Sequence, residues 1–272
     1  MNEPIGPTTS PASAVYLNTD VPNLARIFDY LAGGTINYNA DRQAAAVMQT
    51  LIPSLGKWVR LRRAFIQEAA AQLHAAGFRQ FLDFGSGMPA DDHIHAFAPE
   101  AHVVFSDLNP VAVSYGQSIF AGQDRVAYIR GDARQLDKVF AAPEVQRLID
   151  RQQPVAIGLN GVMLFLNEAD NRQMAQTLYE WAPAGSKIFM VFQTRADKDA
   201  PVEYEQFQQL CRSAGLPIAL YTYHQSVELM RPWQPANIQP IVDFLALPAD
   251  FITPEDETAI GLAFYAAFLE KA

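Results

Sequence analysis

RQFLDFGSGMP, residues 79–89, decides how the rest of the chain reads. A short apolar run ends in an acid, Asp83, and then turns through Gly85, Ser86 and Gly87. In a doubly wound α/β fold this pattern marks a buried strand handing over to a helix, where a nucleotide-like cofactor docks. Glycines there let the backbone approach a ligand closely, and the helix that follows is expected to offer unpaired N–H groups.

Downstream the same character recurs. Residues 81–84, 103–107, 126–130, 155–160 and 187–194 are short apolar runs without polar alternation, as expected of parallel strands buried on both faces. Helical patterns lie between them, at 171–181 and again through Tyr204, Phe207 and Cys211. The alternation predicts an α/β fold of Rossmann-like type, a mostly parallel seven-stranded sheet with helices on both faces. Upstream, Leu24, Ile27, Phe28 and Leu31 fall at helical spacing before Gly33-Gly34, and Trp58, Leu61, Phe65, Ala69 and Leu73 line one face of a second helix. The expected organisation is a Pro/Ser/Thr-rich flexible tail at 1–15, an N-terminal helical cap at 16–77 and a Rossmann-like core at 78–272, integrated as one domain. In the last third a helix is expected at 225–231, stopped by Pro232, and 241–247 with 262–269 as a closing antiparallel pair.

Composition narrows the function. Half the residues are hydrophobic and 18% are charged, which permits a sizeable core, and the net charge is −9. That balance argues against nucleic-acid or anionic-membrane partners, which need clustered Lys and Arg, and favours a small-molecule ligand. A single cysteine, Cys211, excludes an internal disulfide and a cysteine-rich zinc site. Asp91-Asp92-His93-Ile94-His95 superficially resembles a metal site, but two His two positions apart point to different faces of a helix. The segment reads instead as the opening of the next helix with an Asp as its cap, and no metal is expected. No basic-then-apolar leader and no apolar run of membrane-spanning length is present, so the expected location is cytoplasmic.

Gly85-Ser86-Gly87-Met88-Pro89-Ala90 formally matches G-x-G-x-x-A, and two cofactors compete for it. A nicotinamide dinucleotide would set its pyrophosphate here, where Asp83 would repel it. A carboxylate suits a cation better, such as the amino group of a methionine-like moiety beside a sulfonium. Pro89 also departs from the dinucleotide pattern. Asp107, ending the second run, would accept hydrogen bonds from ribose hydroxyls under either reading. Asp132, after the third run, would accept from the exocyclic amine of adenine, with Ala133 supplying a backbone N–H.

Asp83-Phe84-Gly85-Ser86-Gly87, Asp107 and Gly131-Asp132 together resemble the class I, Rossmann-like, S-adenosylmethionine-dependent methyltransferases. The segment from Pro22 to Gly34, with Asn37-Tyr38 and Asp41-Arg42 after it, is similar to the hallmark of one bacterial family of such enzymes, N-x-A-R-x-x-D-Y-L-x-G-G followed by N-[FY]-x-x-D-R. The resemblance runs through about residue 135 and thins beyond it. It implies S-adenosylmethionine as the cofactor and an N-terminal lid over it. Within that lid it implies Arg26 pairing with the methionine carboxylate, and Tyr30 and Tyr38 lining the sulfonium. Leu108, beside Asp107, joins the implied cofactor set. Packing readings stand beside these: Tyr30 as a core tyrosine, Asp41-Arg42 as a cap or brace for the next helix. Asn160, ending the fourth run, lies where this fold faces its reacting centre; its amide would orient a nucleophile or accept from the amino group, or else form an Asn-Gly turn.

The leading expectation is methyl transfer to a small, secondary-metabolite-like acceptor, with Tyr30 and Asn160 as catalytic candidates. Positioning supplies much of such a rate, so the lack of an obvious catalytic His is compatible with it. A second reading uses S-adenosylmethionine alone: its amino nitrogen closes onto its own γ-carbon, giving azetidine-2-carboxylate and methylthioadenosine, as is thought for synthases on this fold. A third is a non-catalytic cofactor-binding protein.

Overall fold

The computed structural model describes residues 18–195, 202–213, 218–248, 250–256 and 261–271. The tail expected at 1–15 lies outside the described residues. Three helices come first: α1 (Leu24–Ala32), α2 (Asn39–Leu51) and α3 (Leu55–Ala75). The α/β region follows as β1 (Gln80–Phe84), α4 (Ile94–Phe97), β2 (His102–Asp107), α5 (Pro110–Ile119) and β3 (Val126–Arg130). It continues through α6 (Leu136–Phe140), α7 (Pro143–Leu148), β4 (Ala156–Gly158), α8 (Glu168–Trp181) and β5 (Lys187–Thr194). The chain ends with α9 (Val202–Ser213), α10 (Tyr223–Leu229), β6 (Gln234–Pro240), α11 (Ile241–Phe244) and β7 (Ala263–Glu270).

The strands form one seven-stranded sheet in the order β3-β2-β1-β4-β5-β7-β6. The first five are parallel to one another, while β7 runs antiparallel to β5 and β6. Strand order reverses between β1 and β4, the crevice where open α/β sheets bind ligands. Side chains alternate between two cores, as the pleat requires. Phe81, Phe105 and Phe189 face the side covered by α3, with Phe65; Leu82, Val104, Ile157 and Ile188 face the side covered by α8, with Leu178. Each fully buried Leu, Ile or Phe contributes about 1.5–3 kcal/mol. Asp83 shares the parity of Phe81, so it belongs to the face under α3.

Local sequence explains the helix ends. Asn23 caps α1, its side chain accepting from the Ala25 and Arg26 amides, and Gly33, at φ +91°, ends it in the left-handed conformation. Asn109 caps α5 with Pro110 at the first helical position.

Three expectations are corrected. Residues 241–247 are not a strand: the partner of β7 is β6, whose register pairs Gln234 with Glu270 and Pro240 with Tyr265. Its sequence, QPANIQP, sits largely exposed at the sheet edge, where proline is tolerated and no apolar run is needed. The fourth strand is only Ala156–Gly158, leaving Asn160 in the turn after it. Finally, the glycine turn does not open directly into a helix. The chain runs irregularly to His93, past Pro89, before α4 starts, and the cap of α4 is His93, not an Asp: its Nδ1 accepts from the Ile94 amide at 2.9 Å.

Candidate active site

The glycine turn is held by its neighbours. Gly85 and Gly87 have φ of +66° and +71°, which side-chain-bearing residues rarely adopt. A Cβ on Gly85 would also lie 2.9 Å from Val162 Cγ2. Gly87 donates its N–H to Asp107 Oδ2 at 2.8 Å, and its carbonyl accepts from the Tyr128 hydroxyl at 2.5 Å. Ser86 donates its hydroxyl to Asp83 Oδ2 at 2.6 Å and its N–H to the Ser106 carbonyl at 3.1 Å. Asp107 Oδ1 accepts from the Asn109 amide at 2.7 Å. The structure thus binds Asp83, Ser86, Gly87 and Asp107 into one constellation at the C-terminal ends of β1 and β2. Each carboxylate oxygen of Asp107 has further acceptor capacity beyond the amide it holds.

Asp83 is 2% exposed. Burial pushes its carboxyl up to about 7; the Ser86 hydroxyl pulls it down, Asp107 pushes it up, and Arg63 and Arg62 pull it down. It leans toward β4, where Gly158 is its register partner. A Cβ on Gly158 would fall 2.0 Å from Asp83 Oδ1, so the strand needs glycine there to admit the carboxyl group. Across the crevice stands Asn160, whose Nδ2 donates weakly to the Phe189 carbonyl at 3.5 Å. Four buried side-chain atoms lack a hydrogen-bond partner among the described residues; His95 Nδ1 and Asn171 Oδ1 lie elsewhere, but Asp83 Oδ1 and Asn160 Oδ1 flank this crevice. Such orphaned acceptors are uncommon in folded proteins and call for an explanation. A ligand ammonium would supply the missing donors.

Other expected site residues either have protein partners or face solvent. Arg26 is 1% exposed and already engaged: its Nε donates to Asp41 Oδ2 at 2.8 Å and its Nη2 to the carbonyls of Val21 and Asn18. Asp41 braces the same region, accepting from the Asn23 and Tyr38 amides. Arg42 holds Asn37. The Tyr38 ring lies 5.1 Å from the Arg26 guanidinium carbon, and its hydroxyl is 3.4 Å from that of Tyr115. Tyr30 and Leu108 are exposed. Asp132 forms a bidentate pair with Arg134, at 2.9 and 2.8 Å, and that hydrogen bonding holds its carboxyl below the usual range. No hydrogen bond joins Asp132 to Asp83 or Asp107 among the described residues. Asn23 and Asn109 exchange side-chain amide bonds at 3.2 and 3.0 Å, tying α1 to the start of α5, two residues past Asp107.

The sequence reading missed two residues. Tyr128, on β3, pins the turn through its hydroxyl. Arg62, on α3, has Trp58, Val59, Phe65 and Ile66 buried three and four positions away on both sides. An arginine in the centre of an apolar helical stripe was the available signal.

Among the described residues no cluster of metal-ligating side chains is found, and no helix is long and apolar enough to cross a membrane. The strand order, the glycine turn and its acids define the Rossmann-like methyltransferase class. A family model described as S-adenosyl methyltransferase matches residues 10–234, and the chain belongs to that family. A DUF574 family protein from Streptomyces avermitilis is similar over 93% of this chain and 99% of its own, with 28% identity and a TM-score of 0.80. A Thermobifida fusca protein provisionally assigned as a methyltransferase matches over 95% and 99%, with 24% identity and a TM-score of 0.81. Geranyl diphosphate methyltransferase in complex with SAM shares the fold alone, at 11% identity and a TM-score of 0.54 over 90% of this chain and 95% of that one. No curated protein matches the chain. The chain is therefore an S-adenosylmethionine-dependent methyltransferase.

Proposed function

We propose that the enzyme methylates a small organic acceptor, with the cofactor held in the β1/β4 crevice. The observation that carries the site is the pair of orphaned buried acceptors, Asp83 Oδ1 and Asn160 Oδ1, beside a glycine turn with positive φ. These residues fit the cofactor: two acceptors for its α-ammonium, Asp107 for the ribose hydroxyls, and glycines where a backbone must come close. Ser86, Leu108 and Ala133 complete the assigned cofactor set. Asp132 joins it through acceptor sites beyond those taken by Arg134.

When bound, S-adenosylmethionine supplies a methyl group already activated on a sulfonium. What the chain must add is position and dryness. Asp83 and Asn160 fix the amino-acid end, Asp107 fixes the ribose, and the cap made by α1 and α2 covers the site. We assign the exposed rings of Tyr30 and Tyr38 to the lining of the sulfonium, where an aromatic face attracts positive charge. The net charge of −9 supports a small acceptor over a nucleic acid.

Mass spectrometry of purified enzyme tests the reading. S-adenosylhomocysteine should form only when an acceptor is added from a small-molecule panel. Methylthioadenosine formed from S-adenosylmethionine alone would contradict it and favour cyclisation. Tight cofactor binding with no turnover across the panel would point to a binding protein.

A further inference from the structure

The cations around the cap and α3 nearly all have protein acceptors. Arg26 holds Asp41, Arg42 holds Asn37, Lys57 holds Asp256 at 2.5 Å, Arg60 reaches the Leu31 carbonyl at 3.3 Å, and Arg63 pairs with Asp92. Arg62 differs. It makes no hydrogen bond or ion pair with any described residue, although it sits half-buried in the centre of the apolar face of α3. Phe28, on α1, covers one side of it, with the guanidinium carbon 5.1 Å from the ring centre. Gly161, in the turn after Asn160, admits the other side: a Cβ there would lie 2.6 Å from Arg62 Nη1. Asp83 is close enough to stabilise its charge, yet burial and Arg63 outweigh that and pull Arg62 down to about 10. A half-buried guanidinium with no acceptor among the described residues keeps its fork of donors open to an anion that completes the site.

The position restricts what that anion is. Arg62 borders the crevice whose walls carry the two orphaned acceptors, Asp83 Oδ1 and Asn160 Oδ1. A fork of donors beside two acceptors is complementary to an α-amino acid zwitterion. We propose that Arg62 binds the α-carboxylate of the cofactor's methionine end, the part first expected of Arg26, whose Nε and Nη2 already serve Asp41 and two backbone carbonyls. Phe28 and Gly161 position it. This rests on the proposed cofactor site and adds to it the residue that selects the amino-acid end.

Calorimetry with two ligands tests the assignment. S-adenosylhomocysteine carries the amino acid; methylthioadenosine keeps the adenosyl thioether without it. Arg62→Gln should weaken S-adenosylhomocysteine by roughly 10- to 100-fold, the usual worth of a charge-assisted hydrogen bond, and leave methylthioadenosine within about twofold. Arg62→Lys, which keeps the charge but not the fork, should show the same selectivity with a smaller loss. It replaces the glutamine variant if circular dichroism shows that the latter is unfolded. Equal loss for both ligands, or S-adenosylhomocysteine affinity within about threefold of wild type, overturns the assignment. In that case an anionic acceptor becomes the expected partner of Arg62. Wild-type enzyme that binds neither ligand overturns the cofactor site itself, and Arg62 with it.

Discussion

Above neutral pH, replacing Asp83 by Asn should stabilise the protein while removing a cofactor contact. The carboxyl is buried, and burial moves it from its ordinary 3.8 to about 7. Because the folded value lies above the unfolded one, ionisation in the folded state opposes folding. The penalty is absent below about pH 4, grows as pH rises, and is complete above about pH 7. At about 1.4 kcal/mol per unit, wild type loses roughly 3 kcal/mol relative to the Asn variant between about pH 5 and pH 8. Asn keeps an oxygen for the Ser86 hydroxyl, now 2.6 Å from Asp83 Oδ2. Its amide adds an unpaired donor at a cost of about 1–3 kcal/mol, and that cost does not vary with pH. Denaturant unfolding at several pH values, read with S-adenosylhomocysteine titration, separates the two. The stability gap should widen by roughly 2–3 kcal/mol across that pH range, and affinity should fall. A gap that stays constant with pH would refute the reasoning, because Asp83 would then not be a buried acid held near neutrality.

Other predictions follow from the same contacts. Only ionised Asp83 receives an ammonium, and the groups facing it are the Ser86 hydroxyl, Asp107, Arg63 and Arg62. S-adenosylhomocysteine affinity should therefore rise about tenfold from pH 6 to pH 8 in wild type, and calorimetry at a flat affinity would contradict this. Gly158→Ala would bring a methyl group 2.0 Å from Asp83 Oδ1 and 2.9 Å from Phe189 Cζ. It should cost about 1–3 kcal/mol in stability and weaken S-adenosylhomocysteine; an unchanged protein would show that Asp83 does not lean over β4. Asp41→Asn leaves Arg26 buried without its charge partner and should cost about 3–5 kcal/mol in chemical denaturation. A loss under about 1 kcal/mol would mean that the pair does not brace the cap.

Much of the sheet was legible because buried parallel strands are written as apolar runs, and β1, β2, β3 and β5 fall within a residue of their runs. The edge was not. β6 carries two prolines and no apolar pattern, since one of its sides faces water and its pairing depends on β7 alone. Within the site, the acids flanking the glycine turn were legible because each lies within a residue of the C-terminal end of an apolar strand. Partner choice could not. Arg26 and Arg62 are both arginines on helices before the core, yet one finds Asp41 fifteen positions along the chain and the other finds no described acceptor. That difference comes from how α1, α2 and α3 pack together, which spacing along one helix does not encode. His93 was misread for a similar reason: its ring caps α4 and packs edge-on against Phe105 at 4.6 Å. Burial holds it down to about 3, so it stays neutral at ordinary pH.

The central claim is that the crevice between β1 and β4, bounded by Asp83 and Asp107, holds S-adenosylmethionine. Titrating S-adenosylmethionine into wild type, Asp83→Ala and Asp107→Ala in a calorimeter tests it most directly. The account predicts one site per wild-type chain and at least about a tenfold loss of affinity in each variant, as expected when a buried hydrogen-bond acceptor for the ligand is removed. Folded variants that bind as tightly as wild type would contradict it.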